Sequence, residues 1–317
     1  MLPGVWRLRL PLPWPGVPHG NAWAVRSGDG FVLFDTGIGG ADALDELERA
    51  LEMVGLRVEQ ASLVVCTHAH LDHCGQAPAI AERAGCEVYL HPEHGHLMRL
   101  VAEPREVYEE RIAGARRAGV PERLLEGLRP PTLPDEDERR RALALFETAK
   151  PLVEGVTIQT DLGAWSTHYT PGHSPSHVVL CQPERRLLVS GDHLLGRISL
   201  YFDYGYSPDP CGEFLDSLGK AERLGARLCL PGHGRTFADV QAHIRGNREL
   251  VNGRLEATAA ALAGGPVTPF EAIEQVYDYV GPENVNWLLS KMMCYLTHLE
   301  RKGLANRLDG DVVRFGA

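Results

Sequence analysis

Four side chains that can bind a metal ion stand within six positions of one short segment. They are His68, His70, Asp72 and His73. The segment follows the apolar run of residues 63–66, and an apolar, β-branched run that ends in polar residues predicts a buried strand opening into a loop. Neutral imidazole and carboxylate groups bind Zn²⁺ and similar divalent ions. The pattern therefore predicts a metal-binding loop that turns alternate side chains toward different ions.

This segment resembles the His-x-His-x-Asp-His motif of the metallo-β-lactamase superfamily, and three later residues complete the pattern of that family. They are His173, Asp192 and His233. Both of these histidines follow a Pro-Gly pair, and the aspartate follows the apolar run of residues 187–189. The resemblance implies an α/β fold of the family's four-layer αββα type.

The resemblance also implies a role for each of these residues. One ion would be held by His68, His70 and His173, the second by Asp72, His73 and His233, and Asp192 would bridge the two. The expected cofactors are thus two divalent ions, with zinc the first expectation and iron or manganese as alternatives, because these ligands accept all three. Asp72 is also the expected catalytic proton carrier. Asp35, in a strand that ends Asp35-Thr36-Gly37, would support the metal loop through hydrogen bonds without binding metal.

Two cations held against one water would lower its pKa from about 15.7 toward 7, which makes hydroxide available at neutral pH. A metal-bridging hydroxide is therefore the expected nucleophile, and no Ser-His-Asp triad is needed. Within the family that the motif resembles, a bridging aspartate is typical of the thioesterases that resemble glyoxalase II, of lactonases and of the phosphodiesterase or nuclease branches, and true β-lactamases generally lack it. We therefore expect a hydrolase of a small thioester or lactone. Two alternatives stay open: a phosphodiesterase or nuclease of the same superfamily, and a binding or scaffold protein that has kept the fold.

Composition restricts the partners and the compartment. The chain has 32 Lys and Arg against 42 Asp and Glu, a net charge of -10, so a small-molecule substrate is expected before nucleic acid. Its seven cysteines are an odd number without a Cys-x-x-Cys pair, which suits a reducing cytoplasm. The first 20 residues lack signal-peptide features and no apolar stretch has membrane-spanning length, so we expect a cytoplasmic protein without a membrane partner. A homodimer is left open.

At 317 residues, the chain is predicted to contain one large domain and one small domain. Strands alternate with helices up to residue 90 and again from residue 156, which predicts a hydrolase domain over residues 1–264. Residues 91–150 interrupt the alternation with charged, helix-forming sequence punctuated by Pro121 and the pair Pro130-Pro131. Two interpretations of this insertion stay open, a cap over the metal site and a solvated helical hairpin elsewhere on the surface.

Histidines outside the motif are interpreted as structural. His91, His94 and His96 lie in the insertion and are expected to be cap or surface residues. His177 is expected to begin a strand, although it could orient substrate.

The last segment, residues 265–317, follows the stop signal Gly264-Gly265-Pro266. Two predicted helices, over residues 268–279 and 286–302, precede a hairpin split by Asp309-Gly310. This order resembles the winged-helix tail of some proteins of the superfamily. From Pro266 onward there are seven acidic and five basic residues, which favours packing or dimerisation over DNA binding.

Overall fold

The computed structural model describes residues 2–14, 16–40, 42–128, 136–197 and 199–317. The Pro130-Pro131 pair, which was predicted to punctuate the insertion, lies outside the described residues.

The first sheet has six strands whose spatial order follows the chain. They are β1 (Val5–Trp14), β2 (Val17–Ser27), β3 (Gly30–Phe34), β4 (Ala61–Val65), β5 (Glu87–Leu90) and β6 (Lys150–Pro151). The first three strands are antiparallel, and β3 to β6 are parallel. Pro11 and Pro13 lie in β1, which is an edge strand, where a missing N–H costs no ladder hydrogen bond.

The second sheet has five strands. In chain order they are β7 (Thr157–Thr160), β8 (Gly163–Tyr169), β9 (Val178–Gln182), β10 (Leu187–Gly191) and β11 (Leu228–Pro231). Strands β7 to β10 are antiparallel neighbours, and β11 pairs in parallel with β10. The residues after β10 and after β11 therefore leave the sheet at the same edge.

The two sheets pack face to face around a common apolar core. Val25, Phe34 and Val65 of the first sheet belong to the same buried cluster as Trp165 and Leu180 of the second. The rings of Phe34 and Trp165 lie 5.3 Å apart. Burying a side chain of this size contributes roughly 1.5–3 kcal/mol, so this layer is a major source of stability.

Helices cover the outer face of each sheet. The first sheet is covered by α1 (Ala43–Glu52), α3 (Ala77–Ala84), α4 (Gly95–Ala102) and α7 (Glu136–Thr148), and the second by α8 (Pro210–Arg223), α9 (Val240–Leu262) and α11 (Val285–Arg301). The shorter or intervening helices are α2 (Leu71–Cys74), α5 (Pro104–Arg117), α6 (Glu122–Leu125) and α10 (Pro269–Val276). This helix–sheet–sheet–helix order confirms the predicted α/β fold class.

The insertion, residues 91–150, packs against two parts of the molecule. Val101 of α4 and Phe146 of α7 are buried in the helix layer on the first sheet. Leu124 of α6 is buried with Phe270 of α10 and Val285 of α11. The insertion thus joins the first helix layer to the C-terminal helices.

The C-terminal segment consists of α10, α11 and the two short strands β12 (Asn306–Leu308) and β13 (Arg314–Gly316). Phe315 packs with Ile273 and Met292, while Tyr295 of α11 faces the helix layer of the second sheet. Helix α10 ends at Val276, earlier than predicted, because Tyr277 has an extended backbone. The division at residue 265 and the winged-helix-like identity of this segment remain predictions.

No helix among the described residues has the length and apolar character needed to cross a membrane.

Candidate metal centre

Four loops meet at the edge where the strands of the two sheets end. The loop after β4 carries four of the predicted ligands, and His70 is the residue before α2, whose first turn holds Asp72 and His73. The other three loops follow β8, β10 and β11. Because β10 and β11 are parallel, Asp192 and His233 leave the second sheet side by side.

The first group of donor atoms comes from three histidines. His68 Nε2 lies 3.0 Å from His70 Nδ1, and His173 Nε2 lies 3.3 Å from the former and 3.1 Å from the latter. The three imidazole nitrogens thus converge on one point, which is the geometry expected of a site for a single ion.

The second group contains Asp72, His73 and His233. Asp72 Oδ2 lies 3.2 Å from His233 Nε2 and 3.6 Å from His73 Nε2. The three donor atoms form one cluster, and all three side chains are largely buried.

Asp192 lies between the two groups. Its Oδ1 is 3.4 Å from His73 Nε2, and its Oδ2 is 3.3 Å from His233 Nε2 and 3.9 Å from His173 Nε2. The structure therefore brings all seven predicted ligands together, with this carboxylate in contact with members of both groups.

The donor set fits divalent cations on three counts. His73 Nε2 and Asp192 Oδ1 are buried and have no hydrogen-bond partner, which is costly unless a cation satisfies them. Each of the five histidines uses its other ring nitrogen in a hydrogen bond, which fixes the inward nitrogen as in known metal sites. These partners are Thr67 Oγ1 for His68, Asp203 Oδ2 for His70, Asp35 Oδ2 for His73, the Tyr201 carbonyl for His173 and the His19 carbonyl for His233.

The third count is electrostatic. Although burial opposes the change, Asp192, Asp72 and Asp35 raise the pKa of His73 well above its ordinary value. The negative charge of these carboxylates favours positive charge at the site, and divalent ions would supply that charge. Burial, followed by the charges of neighbouring histidines, lowers the pKa of His68. That imidazole is therefore neutral, the form that binds metal.

Asp35 lies behind the metal loop, and its predicted hydrogen bonds can be described individually. Its Oδ1 accepts from the Thr67 N–H at 2.7 Å, and its Oδ2 lies 3.0 Å from Thr67 Oγ1 and 2.9 Å from His73 Nδ1. The residue has a φ of 60°, which is strained for a non-glycine residue. Asp35 thus makes hydrogen bonds to both ends of segment 67–73, which carries four of the candidate ligands.

The segment 201–203 also supports the site, and sequence reasoning missed it. The Asp203 carboxylate lies 2.8 Å from His70 Nε2, and the Asp203 N–H donates to the His173 carbonyl at 3.0 Å. His96 Nε2 lies 3.5 Å from the same carboxylate, and these three side chains form a further His/Asp group. Asp203 follows no strand and belongs to none of the motifs used above, so the sequence offered no local signal.

Two histidines interpreted as structural prove to be packed more closely than a surface position implies. His91 is buried and stacks on Tyr169 with ring centroids 4.4 Å apart. His177 lies just before β9, is fully buried, and accepts a hydrogen bond from the Asp192 N–H at 3.2 Å. It positions the loop that carries Asp192, a role that the sequence analysis did not assign.

The insertion contributes side chains close to the site. Arg111 of α5 lies with its Cζ 5.4 Å from the Tyr108 ring centroid. Although burial opposes the change, Tyr201 and Tyr206 raise the pKa of this arginine. The Tyr201 ring lies 5.9 Å from the His70 ring and 5.7 Å from the His173 ring. Arg111 thus interacts electrostatically with a ring that lies beside the histidine group.

Comparison with known families gives a match over most of the chain. The family model described as "Metallo-beta-lactamase superfamily" matches residues 15–233, a span that contains all seven candidate ligands.

Individual proteins resemble the chain over nearly its whole length. A probable metallo-hydrolase, YqjP, of Bacillus subtilis (strain 168) is 26% identical over 320 residues, covering 97% of this chain and 96% of that protein. The atrochrysone carboxyl ACP thioesterase of Aspergillus fumigatus is 24% identical over 275 residues, covering 81% of this chain and 68% of that protein. The crystal structure of a metallo-beta-lactamase family protein, TTHA1429, from Thermus thermophilus superposes with a TM-score of 0.82 at 26% identity, covering 99% of each chain.

Proposed function

The chain belongs to the metallo-beta-lactamase superfamily of hydrolases, and from this premise we propose that it holds two divalent metal ions and hydrolyses a small thioester or lactone. We propose zinc as the first candidate metal, with iron and manganese as alternatives, because imidazole and carboxylate ligands accept all three. Seven free thiols fit a reducing compartment such as the cytoplasm.

The observation that carries the proposal is the position of Asp192. One oxygen of its carboxylate faces His73, and the other faces His233 and lies within 3.9 Å of His173. Both oxygens thus face the second donor group, and Oδ2 also approaches the first group through His173. A carboxylate between the two groups is suited to two ions, whereas a single ion would leave one group of histidines without a function.

The residues of the chain supply two things to this reaction. His68 and His173 provide neutral nitrogens, since burial lowers the pKa of both, and burial and then the charge of His70 lower the pKa of His173 to about 4. His233 and His73 lower the pKa of Asp192 against its burial, so this carboxylate is ionised and available as a ligand. A bound pair of divalent ions would acidify water and polarise the substrate carbonyl.

Asp72 is the proposed catalytic proton carrier. Its Oδ2 lies 3.2 Å from His233 Nε2 and 3.6 Å from His73 Nε2, so the carboxylate lies where the donor atoms of the second group meet. Burial raises the pKa of Cys74, the thiol closest to the motif, so this cysteine is not activated as a nucleophile.

One comparison supports a thioester substrate: a relative at 24% identity is named as a thioesterase acting on an acyl carrier protein. A small thioester or lactone carbonyl also suits a site that the Tyr201 side chain and the insertion border on one side.

The test is metal analysis of the purified protein followed by assays on a thioester of N-acetylcysteamine, a γ-lactone and an aryl phosphodiester. We expect two metal ions per chain and turnover of the thioester or the lactone. Asp192→Asn is expected to lower metal content to about one ion and turnover by at least ~100-fold with an unchanged circular dichroism spectrum. The matched control, Asp216→Asn, changes an exposed residue of α8 and should retain both properties.

Each part of the proposal has an outcome that contradicts it. Turnover of the phosphodiester alone would replace the proposed substrate class with the phosphodiesterase alternative. One metal ion per chain in the fully active protein would contradict the dinuclear site.

A further inference from the structure

Three arginines beside the candidate metal centre have no acidic partner among the described residues. Arg7 and Arg9 project from β1, and Arg235 follows His233 by two positions. Arg7 Nε donates to Asn21 Oδ1 at 2.8 Å, and no described carboxylate lies within ion-pair distance of the three guanidinium groups. The Asn21 side chain that accepts from Arg7 also donates to the Gly234 carbonyl at 3.0 Å, so the backbone next to Arg235 lies beside the same group. Three arginines without an acidic partner are thus grouped in a chain of net charge -10.

His19 lies between two of these arginines and can accept a hydrogen bond from only one of them. Arg7 Nη2 is 3.1 Å from His19 Nε2, and Arg9 Nη2 is 3.3 Å from His19 Nδ1. A neutral imidazole has one acceptor nitrogen, and guanidinium groups only donate. One of the two contacts therefore brings two N–H groups together, and an anion beside the ring would accept from both arginines.

The cluster is rigidly joined to the metal centre. The His19 carbonyl accepts a hydrogen bond from His233 Nδ1 at 3.0 Å. Asn21 holds the same loop, because its N–H donates to the Gly232 carbonyl at 2.7 Å and its side chain donates to the Pro231 carbonyl at 2.8 Å. A group bound by the arginines would thus be held at a fixed position relative to His233.

The positive charges of the cluster act on one another. Burial, and then the charges of Arg9 and Arg235, lower the pKa of Arg7. This mutual repulsion is an electrostatic cost of the free protein, and a bound anion would relieve it. Guanidinium groups bind carboxylate and phosphate oxygens in pairs, with directional, charge-assisted hydrogen bonds.

We propose that Arg7, Arg9 and Arg235 form a subsite for an anionic oxyacid group of the substrate, a phosphate or a carboxylate, remote from the bond that is cleaved. The inference deepens the proposed function by adding a charged group to the thioester or lactone, and it rests on that function for its assignment to a substrate. The subsite would select substrates whose leaving group or acyl part carries negative charge.

The experiment measures binding without hydrolysis, by isothermal titration calorimetry on the full-length protein. Three thioether probes are compared: S-methylpantetheine, which is neutral, S-methyl-4′-phosphopantetheine, which carries a phosphate, and S-methylglutathione, which carries carboxylates. Thioethers are used because free thiols would bind metal ions directly. The last two probes distinguish the two sources of anionic oxygen.

We expect at least one anionic probe to bind about tenfold more tightly than the neutral probe, in line with charge-assisted hydrogen bonds to two arginines. Arg9→Gln and Arg235→Gln, both at exposed positions, should each remove most of this preference. Arg185→Gln is the matched control, since it changes an exposed arginine that precedes β10, at the opposite end of the strand from Asp192.

Equal binding of the three probes, no binding of either anionic probe, or a preference that survives in both arginine variants would overturn the subsite. Because no bond is cleaved, the result is independent of the thioester and lactone assays. Failure of those assays would reject the proposed function and leave a measured anion preference standing.

Discussion

Asp203 Oδ2 lies 2.8 Å from His70 Nε2, on the side of the ring that faces away from the other two histidines of the first group. The carboxylate therefore fixes the His70 tautomer, so that the proton is on Nε2 and the lone pair of Nδ1 points toward His68 and His173. Asp203 is itself held by its N–H bond to the His173 carbonyl. One loop residue thus orients one ligand through its side chain and contacts a second through its backbone.

We predict that Asp203→Asn weakens metal binding by about 10–100-fold, the range found when a carboxylate behind a metal-binding histidine is lost. Asparagine has a similar shape, but it lacks the charge that makes His70 a stronger ligand. The measurement is competition with a coloured chelator, and Asp216→Asn serves as the control for loss of an exposed carboxylate. Unchanged metal affinity in Asp203→Asn would show that the hydrogen bond has no part in binding.

The site also depends on a residue that has no side chain. A Cβ at Gly232 would overlap Asp192 Oδ1 and would lie 2.6 Å from His73 Cε1. Gly232→Ala is therefore predicted to push the second donor group apart and to lower metal content, although every ligand is still present. The expected loss is one ion per chain, measured by mass spectrometry of the metals after dialysis.

Gly253→Ala is the control for this change, because a Cβ at that helical position meets no neighbouring atom. Alanine there should raise the free energy of unfolding by about 0.5–1 kcal/mol and leave metal content unchanged. Full metal content in Gly232→Ala would mean that the loops move apart without cost, contrary to the prediction.

The convergence of the seven candidate ligands could be predicted from the sequence because each follows a strand or turn signal at the spacing of a known motif. Asp203 could not, since its partner His70 is 133 positions away and the loop between β10 and α8 has no periodic pattern. Of the five groups that bind the outer ring nitrogens of the histidines, the sequence indicated only Asp35, because the others are brought to the site by tertiary packing. Three of these groups are backbone carbonyls or a neighbouring hydroxyl, which no side-chain motif records.

Secondary structure was predictable where local signals and packing agree. The sequence predicts a helix over residues 77–84 and a strand over residues 87–90, and α3 and β5 have these bounds, with Gly85 between them in a left-handed conformation that ends the helix. A helix is also predicted over residues 213–224, but α8 begins at Pro210, because the Asp209 side chain caps it by accepting from the Gly212 N–H. That capping signal was present in the sequence and was missed.

The contacts of the insertion change how its influence on substrate choice should be tested. Deleting the insertion would expose Val101 and Leu124, which are buried against the rest of the protein, so a point substitution is the cleaner test. Arg111→Gln is predicted to change the ratio of kcat/KM for a short and a long acyl thioester by about tenfold without changing metal content. The reason is that Arg111 interacts electrostatically with Tyr201, whose ring lies 5.9 Å from that of His70.

Arg105→Gln is the matched control on the same helix, at an exposed position. It should leave the ratio unchanged. If Arg111→Gln also keeps the ratio, the insertion does not reach the substrate through this residue.

Two cationic side chains lie close to one aromatic ring, that of Tyr277 in the C-terminal segment. Arg254 Cζ lies 4.4 Å and Lys291 Nζ lies 5.6 Å from the Tyr277 ring centroid. Burial, and then the charge of Arg254, lower the pKa of Lys291 from 10.5 to about 8. The protonated lysine is thus less favourable in the folded protein than in the unfolded chain.

The sign of the pH dependence follows from this pKa. Below pH 8 the lysine is charged in both states and destabilises the fold, by roughly 3 kcal/mol at most. Attraction to the ring and the partial exposure of Lys291 reduce the net effect to about 1–2 kcal/mol. As the pH rises from 8 toward 10.5, the folded protein loses the proton first and the destabilisation disappears.

Lys291→Met is therefore predicted to raise the free energy of unfolding by about 1–2 kcal/mol at pH 7 and by progressively less as the pH approaches 10. Urea denaturation of both proteins across this range is the measurement, with Lys302→Met, at an exposed position after the same helix, as the control. A lower stability of Lys291→Met at pH 7 would mean that the attraction between the ammonium group and Tyr277 outweighs burial and the repulsion from Arg254. A gain that stays constant with pH would instead assign the effect to the apolar packing of methionine.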